Sequence, residues 1–203
     1  MKKLIVLIAL STYAFGFSQI REKGNVELSP FFGISKVNNK VNSALPPRGP
    51  AITRVRFGTN IDYYLHSNWS IRSGIIYDPM GGTDNVQTRY ELNYLNMPLN
   101  INFHFGRKRG FNLNAGVMAG IFLKGQAIEP FGEVTEITEF VKPTQLGLSF
   151  GGGYKHQITE KLSLFLDFQM ITETDNYIIN VSGFDFKSYN YGYSINLGTV
   201  FKL

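Results

Sequence analysis

The chain has no cysteine, which excludes disulfides, thiolate metal centres and cysteine nucleophiles. Histidine occurs three times and tryptophan once. Charged residues make up only 17%. The basic ones are scattered, so no stripe exists to follow a phosphate backbone, and a nucleic-acid partner is not expected. Beyond residue 18 no apolar run approaches the ~18 residues a membrane helix needs. The glycine run Gly151-Gly152-Gly153 lacks the Lys-Ser/Thr ending of a phosphate loop. It lies inside a strand pattern and reads as room for a bulky neighbour such as Phe165.

What the chain does have is 14% aromatic residues, 21 glycines and 11 tyrosines, a composition that suits a β-protein. The first residues form an expected signal peptide over 1–18. Lys2 and Lys3 precede the apolar run Leu4 to Leu10, and Gly16-Phe17-Ser18 supplies small residues for a cut before Gln19. No cysteine follows, so a lipoprotein signal is excluded. Removing Lys2 and Lys3 from the 20 basic residues leaves 18 against 15 acidic ones, a net of about +3. Residues 19–203 are expected to form one domain.

Eight segments alternate apolar and polar residues, the period of a two-faced strand: Asn25–Val37, Arg54–His66, Trp69–Asp78, Leu95–Phe105, Phe111–Gly125, Thr144–His156, Leu162–Thr172 and Tyr189–Leu203. Ile76 breaks the third. Upstream of Leu95 the phase flips, since Tyr90, Leu92 and Tyr94 are even-numbered. Such a flip calls for a bulge, with Pro98 as its neighbour, or for a rim beyond the membrane. Links at 66–68, 106–110 and 157–161 are short; those at 38–52, 79–89, 127–143 and 174–188 are long. Short turns alternating with long loops, and aromatics gathered near the short turns (Tyr63, Trp69, Phe105, Phe111, Tyr154, Phe201), are marks of a membrane barrel. The expected fold is an all-β, eight-stranded antiparallel up-and-down transmembrane β-barrel, with short periplasmic turns and long extracellular loops. Closure leaves no backbone edge exposed to lipid. A soluble secreted barrel with its apolar face inward is the alternative.

The polar face then lines a narrow lumen. Glu27, Arg54, Arg56, Asp62, Arg72, Lys155 and Asp167 are its expected structural charge cluster, joined by Lys124 and Glu173. Charges of both signs in a lumen filled by its own side chains should pair. His66, His104 and His156 all fall at short-turn ends, and no serine–histidine spacing stands out. No catalytic, cofactor-binding or metal-binding residue is expected. The acidic 127–143 loop (Glu129, Glu133, Glu136, Glu139) and the basic turn Arg107-Lys108-Arg109 read as solvated. Asn68-Trp-Ser and Asn180-Val-Ser match a glycosylation pattern without meaning in a bacterium.

The last residues carry Asn196, Gly198, Phe201 and Leu203 in a spacing that resembles the C-terminal insertion signal of bacterial outer-membrane barrels, with Leu203 where an aromatic is usual. The stretch Tyr94-Leu95-Asn96-Met97-Pro98-Leu99 resembles the Tyr-Leu-Glu-Ile-Pro-Leu motif of the outer-membrane β-barrel domain common in Bacteroidota, the PorT-like group. Asn114-Ala115-Gly116, the glycine-rich sixth segment and Asn196-Leu197-Gly198 are similar to it as well. The resemblance implies an integral outer-membrane barrel of about eight strands. The expected function is non-enzymatic, with a structural or interaction role in the cell envelope. An accessory role in protein secretion, a small channel and a lipid-modifying enzyme are the alternatives. Expected partners are outer-membrane lipid and lipopolysaccharide, the barrel-assembly machinery and an envelope protein; a monomer is expected.

Overall fold

The structure is a computed structural model that describes residues 21–42, 49–106, 108–175 and 187–203. The expected signal peptide, the cut before Gln19, Arg107 and the Asn180 motif lie outside the described residues.

The strands are β1 (Val26–Asn42), β2 (Ile52–His66), β3 (Trp69–Thr83), β4 (Arg89–Phe105), β5 (Phe111–Ile128), β6 (Val134–Glu136), β7 (Thr144–Gln157), β8 (Leu162–Glu173) and β9 (Lys187–Lys202). β6 is a short strand within a loop. The other eight are long, and each pairs antiparallel with the next. β9 returns to β1, from Glu27 opposite Lys202 to Asn42 opposite Lys187, and closes the barrel. No described helix is long and apolar enough to cross a membrane.

Alternation decides the two faces. On β9, Leu197 is 61% exposed on the outer wall and its neighbour Asn196 only 2% in the lumen. The outer wall is thus apolar and the lumen largely polar, the reverse of a water-soluble barrel. Near the short turns the aromatic rings touch in sequence: Trp69–Phe103 at 4.8 Å, Phe103–Phe105 at 6.0 Å, Phe105–Phe111 at 5.7 Å and Phe111–Tyr154 at 4.8 Å between centroids. Offset and tilted pairs at such spacings are favourable, so the short-turn end carries an unbroken aromatic row across β3, β4, β5 and β7.

The long-loop end departs from the expected pattern. β4 does not flip: Leu92, Tyr94, Asn96, Pro98, Asn100, Asn102 and His104 all face inward and are buried. The polarity inverts instead, with apolar residues inside and Arg89, Glu91 and Asn93 outside. This is the rim arrangement, built as a water-facing barrel would be. A bulge does exist, but in β5. Asn93 pairs with Lys124 and Tyr94 with Phe122, leaving Leu123 extra. One extra residue reverses the faces beyond it, so Lys124 is exposed on the outer wall rather than in the lumen. Pro98 keeps register: Arg72 pairs with Asn100 and Ile76 with Asn96, and the β3–β4 ladder is open between them. The missing N–H of Pro98 therefore breaks no pairing on that side.

The lumen is also less polar than the alternation implied. Phe31, Ile76, Phe165 and Val200 form an inward apolar cluster. Phe165 does not use Gly151 to Gly153; a Cβ on Gly198 would lie 2.6 Å from its ring, whereas one on Gly151 would meet Gln169 at 2.3 Å. Gly151 and Gly153 make room for the lumen side chains of Gln169 and Asp167, Gly152 for Leu113 on the outer wall, and Gly198 for the ring.

Candidate functional site

Among the described residues, chemistry-bearing side chains converge in the lumen. The β2–β3 hairpin sets its centre. A two-residue turn puts Asp62 directly opposite Arg72, and the guanidinium grips the carboxylate through Nε at 3.1 Å and Nη2 at 3.2 Å. Asp62 also accepts from Asn102 at 2.6 Å and Ser70 at 3.3 Å, and Lys155 Nζ lies 3.5 Å away. Lys155 bridges onward to Glu27 at 2.6 Å. Glu27 accepts from Tyr64 at 2.9 Å and from Arg21 at 2.7 Å. Arg21, which precedes β1, donates to the Arg109 carbonyl at 3.1 Å and lies across the short-turn mouth. On the other side Arg72 stands 3.7 Å from Asp167, which accepts from Gln169 at 2.8 Å. Higher up, Arg56 pairs with Asp78 at 3.2 Å, and Asn96 donates to the same carboxylate at 3.1 Å.

Of the expected charge cluster, Glu27, Asp62, Arg72, Lys155 and Asp167 thus form one connected network, and Arg56 joins it from above: Arg56 donates to Ser194, and Asn196 donates to both Ser194 and Asp167, each at 3.4 Å. Arg54 does not belong. It is ion-paired with Glu91 and donates to Asn93 at 3.1 Å, both outer residues of the rim. The β2–β3 pairing ends at Phe57 and Tyr77, so the Arg54 side chain reaches β4 there. Burial raises the Glu91 carboxyl, but the hydrogen bond and charge of Arg54, with the charge of Arg89, outweigh it and hold Glu91 below the usual carboxylate range. The charge cluster read from the sequence left out Arg21, Tyr64 and Asp78; Asp78 lies on the polar face of the third segment with Ser70 and Arg72, and Tyr64 shares the inward phase of Asp62. Glu173 is buried with no ion-pair partner among the described residues; Asn190 donates to it from main chain at 2.8 Å and side chain at 2.9 Å.

Both ends are closed. At the long-loop mouth Val37, Ile52, Met80, Leu92, Tyr94, Met118, Val141 and Ile171 form an apolar plug, with Phe122 and Ile137 against it. Burying a side chain of this size contributes on the order of 1.5–3 kcal/mol. Ile137 and Val141 come from the loop expected to be solvated. It folds back on the barrel, with Ile137 N–H donating to the Gly125 carbonyl at 3.0 Å and Phe122 N–H to the Pro143 carbonyl at 2.9 Å. Its glutamates Glu129, Glu133, Glu136 and Glu139 are exposed. Between plug and network lies a cavity of about 30 Å³ lined by Arg56, Asn60, Arg72 and Asp167 among others. That is room for a water or two, against the ~10–15 Å³ one water needs.

One arrangement looks catalytic. Ser70 Oγ lies 2.8 Å from His104 Nε2. In a working triad the carboxylate holds the histidine's other nitrogen. Here Asp62 bonds the serine instead, and His104 Nδ1 has no hydrogen-bond partner. Ser70 and His104 are both 0% exposed, and the Tyr64 ring lies 5.0 Å from that of His104. The pair fixes a strand-to-strand contact. His66 and His156 are exposed near the turns. No group of metal-ligating side chains occurs among the described residues.

A family model described as an outer membrane protein beta-barrel domain matches residues 17–170. No curated protein matches the sequence. Among solved structures, the outer membrane protein OprG of Pseudomonas aeruginosa is similar with a TM-score of 0.56 at 11% identity, covering 90% of this chain and 97% of that one. Neisserial surface protein A is similar at 0.52 and 12% identity, covering 88% and 97%. The N-terminal β-barrel domain of Pseudomonas aeruginosa OprF is similar at 0.50 and 14% identity, covering 90% and 100%. At such identities the likeness is one of fold.

Proposed function

Because the chain belongs to the outer-membrane β-barrel domain family and is an integral outer-membrane protein, we propose that it is a non-enzymatic barrel with a structural or interaction role in the envelope. The closed lumen carries this proposal. An apolar plug and a paired charge network fill the axis, so the surfaces left for partners are the loops and the outer wall. Phe131 illustrates the first, 98% exposed at the β5–β6 tip between Glu129 and Glu133. Lipid and lipopolysaccharide, the barrel-assembly machinery and an envelope protein are the proposed partners, the machinery reading the strand end Asn196, Gly198, Phe201 and Leu203. The Tyr94 to Leu99 stretch supports kinship with the PorT-like group; no residue of the lumen favours a secretion role over a structural one.

Ser70→Ala tests the non-enzymatic reading. It removes the hydroxyl that any serine–histidine chemistry requires while keeping the backbone. In a strain lacking the gene, Ser70→Ala at wild-type outer-membrane level is expected to restore resistance to detergents fully. Failure to restore it at that level would assign chemistry to the Ser70–His104 pair.

A further inference from the structure

Where β8 stops at Glu173, β9 and β1 continue past it as a two-stranded ribbon, pairing up to Asn42 and Lys187. The outer wall there carries a groove of about 710 Å³, lined by Phe150, Met170, Thr172, Tyr191, Tyr193 and Lys40 among others. Its size lies within the ~300–1,000 Å³ of small-molecule sites. The register explains its chemistry. Phe150 pairs with Met170, Met170 with Tyr193 and Tyr193 with Lys36, so one outward row runs from an aromatic through two apolar side chains to a cation. Lys40 pairs with Tyr189 four residues higher. Lys40 lines the groove, and Lys36 stands just outside the lining beside Tyr193; the two share a face four residues apart, about 13 Å along the strand. Both are exposed, and neither has an ion-pair partner among the described residues. Glu173 also lines the groove, but it is buried and Asn190 donates to both its oxygens.

We propose that this groove binds a phosphorylated glycolipid of the outer leaflet. Its acyl chains lie along Phe150, Met170 and Tyr193, and its phosphates sit between Lys36 and Lys40. Three observations fit this occupant. The groove opens on the lipid-facing wall of an outer-membrane protein. It lies toward the long-loop end, the outer-leaflet side of a barrel with short periplasmic turns. Its apolar row ends in cations flanked by tyrosines, the side-chain pair that suits a lipid head-group layer. The inference rests on the proposed partnership with outer-leaflet lipid and gives it a site; its failure would leave the closed, non-enzymatic barrel and its loops untouched.

Native mass spectrometry of the purified full-length protein in detergent tests the site. Diphosphoryl lipid A, monophosphoryl lipid A and phosphatidylethanolamine are added in turn, with inorganic phosphate as competitor. One diphosphoryl lipid A per chain is expected to be retained. Loss of one phosphate from the lipid, or Lys36→Gln or Lys40→Gln in the protein, is expected to weaken retention about fivefold, as for one lysine at a membrane surface. Lys124→Gln, on β5 and outside the groove lining, should change nothing. Heat-modifiable gel mobility checks that each variant is folded, and the comparison of lipids on the wild type needs no variant. Equal retention of phosphatidylethanolamine, or full retention by the double lysine variant, would reduce the groove to ordinary boundary lipid. Displacement by inorganic phosphate would make it an anion site without a lipid. Any of these three results overturns the proposal.

Discussion

Asp62→Ala should destabilise the barrel by about 3–5 kcal/mol, the cost of breaking a buried ion pair from one side. Asp62 is 0% exposed and is held by Arg72, Lys155, Asn102 and Ser70 together. Removing it leaves Lys155 with Glu27 alone, which it shares with Arg21, and Arg72 with only Asp167 at 3.7 Å, in a lumen that has room for a water or two. Urea unfolding of protein refolded into phospholipid vesicles, followed by the fluorescence of Trp69, measures the loss. Part of it should return in Asp62→Ala with Arg72→Met, because an apolar chain of similar length removes the unpaired charge. A loss below about 1 kcal/mol, the range of exposed pairs, would mean that water reaches these charges and that the lumen is open.

Leu197→Arg has the second large effect. Leu197 lies on the outer wall of β9, midway between the outward aromatic residues Tyr193 and Phe201. At the bilayer midplane an arginine on the lipid face costs about 2–4 kcal/mol, falling to about 0–1 kcal/mol near an interface. Thr53, exposed at the rim beside Ile52, is the matched control, and Thr53→Arg should stay in the lower range. The same urea titration reads both. Equal, small effects at Leu197 and Thr53 would describe a barrel whose apolar wall does not face lipid.

The fold was legible because alternation is a backbone property. From Leu95 to Phe105 every second side chain must point outward, and only lipid makes an unbroken apolar outer row stable. Loop lengths then ordered the strands. The final strand's place beside β1 followed from closure, since an open edge in lipid leaves backbone groups without partners.

What stayed hidden depended on height and register. Leu92 and Tyr94 looked like a phase flip because polarity, not backbone direction, inverts at the rim. Lys124 was assigned to the lumen because a bulge at Leu123 has no signature in residue type. Arg54 shares the parity of Arg56, yet its partners Glu91 and Asn93 lie outside. Within the lumen, Asp62 opposite Arg72 is within reach of a reading based on the two-residue turn. Glu27 with Lys155 is not, because those residues lie on strands that do not pair and meet only across the closed barrel. The Ser70–His104 contact needed the β3–β4 register, which places Ser70 opposite Asn102.

Single-channel recording in planar bilayers tests the closed lumen most directly. Folded protein, confirmed by heat-modifiable mobility, is expected to give no discrete openings at either polarity, because the apolar plug around Leu92 and Val141 and the Asp62 network both block the axis. Reproducible openings of uniform size from the folded wild-type protein would contradict it.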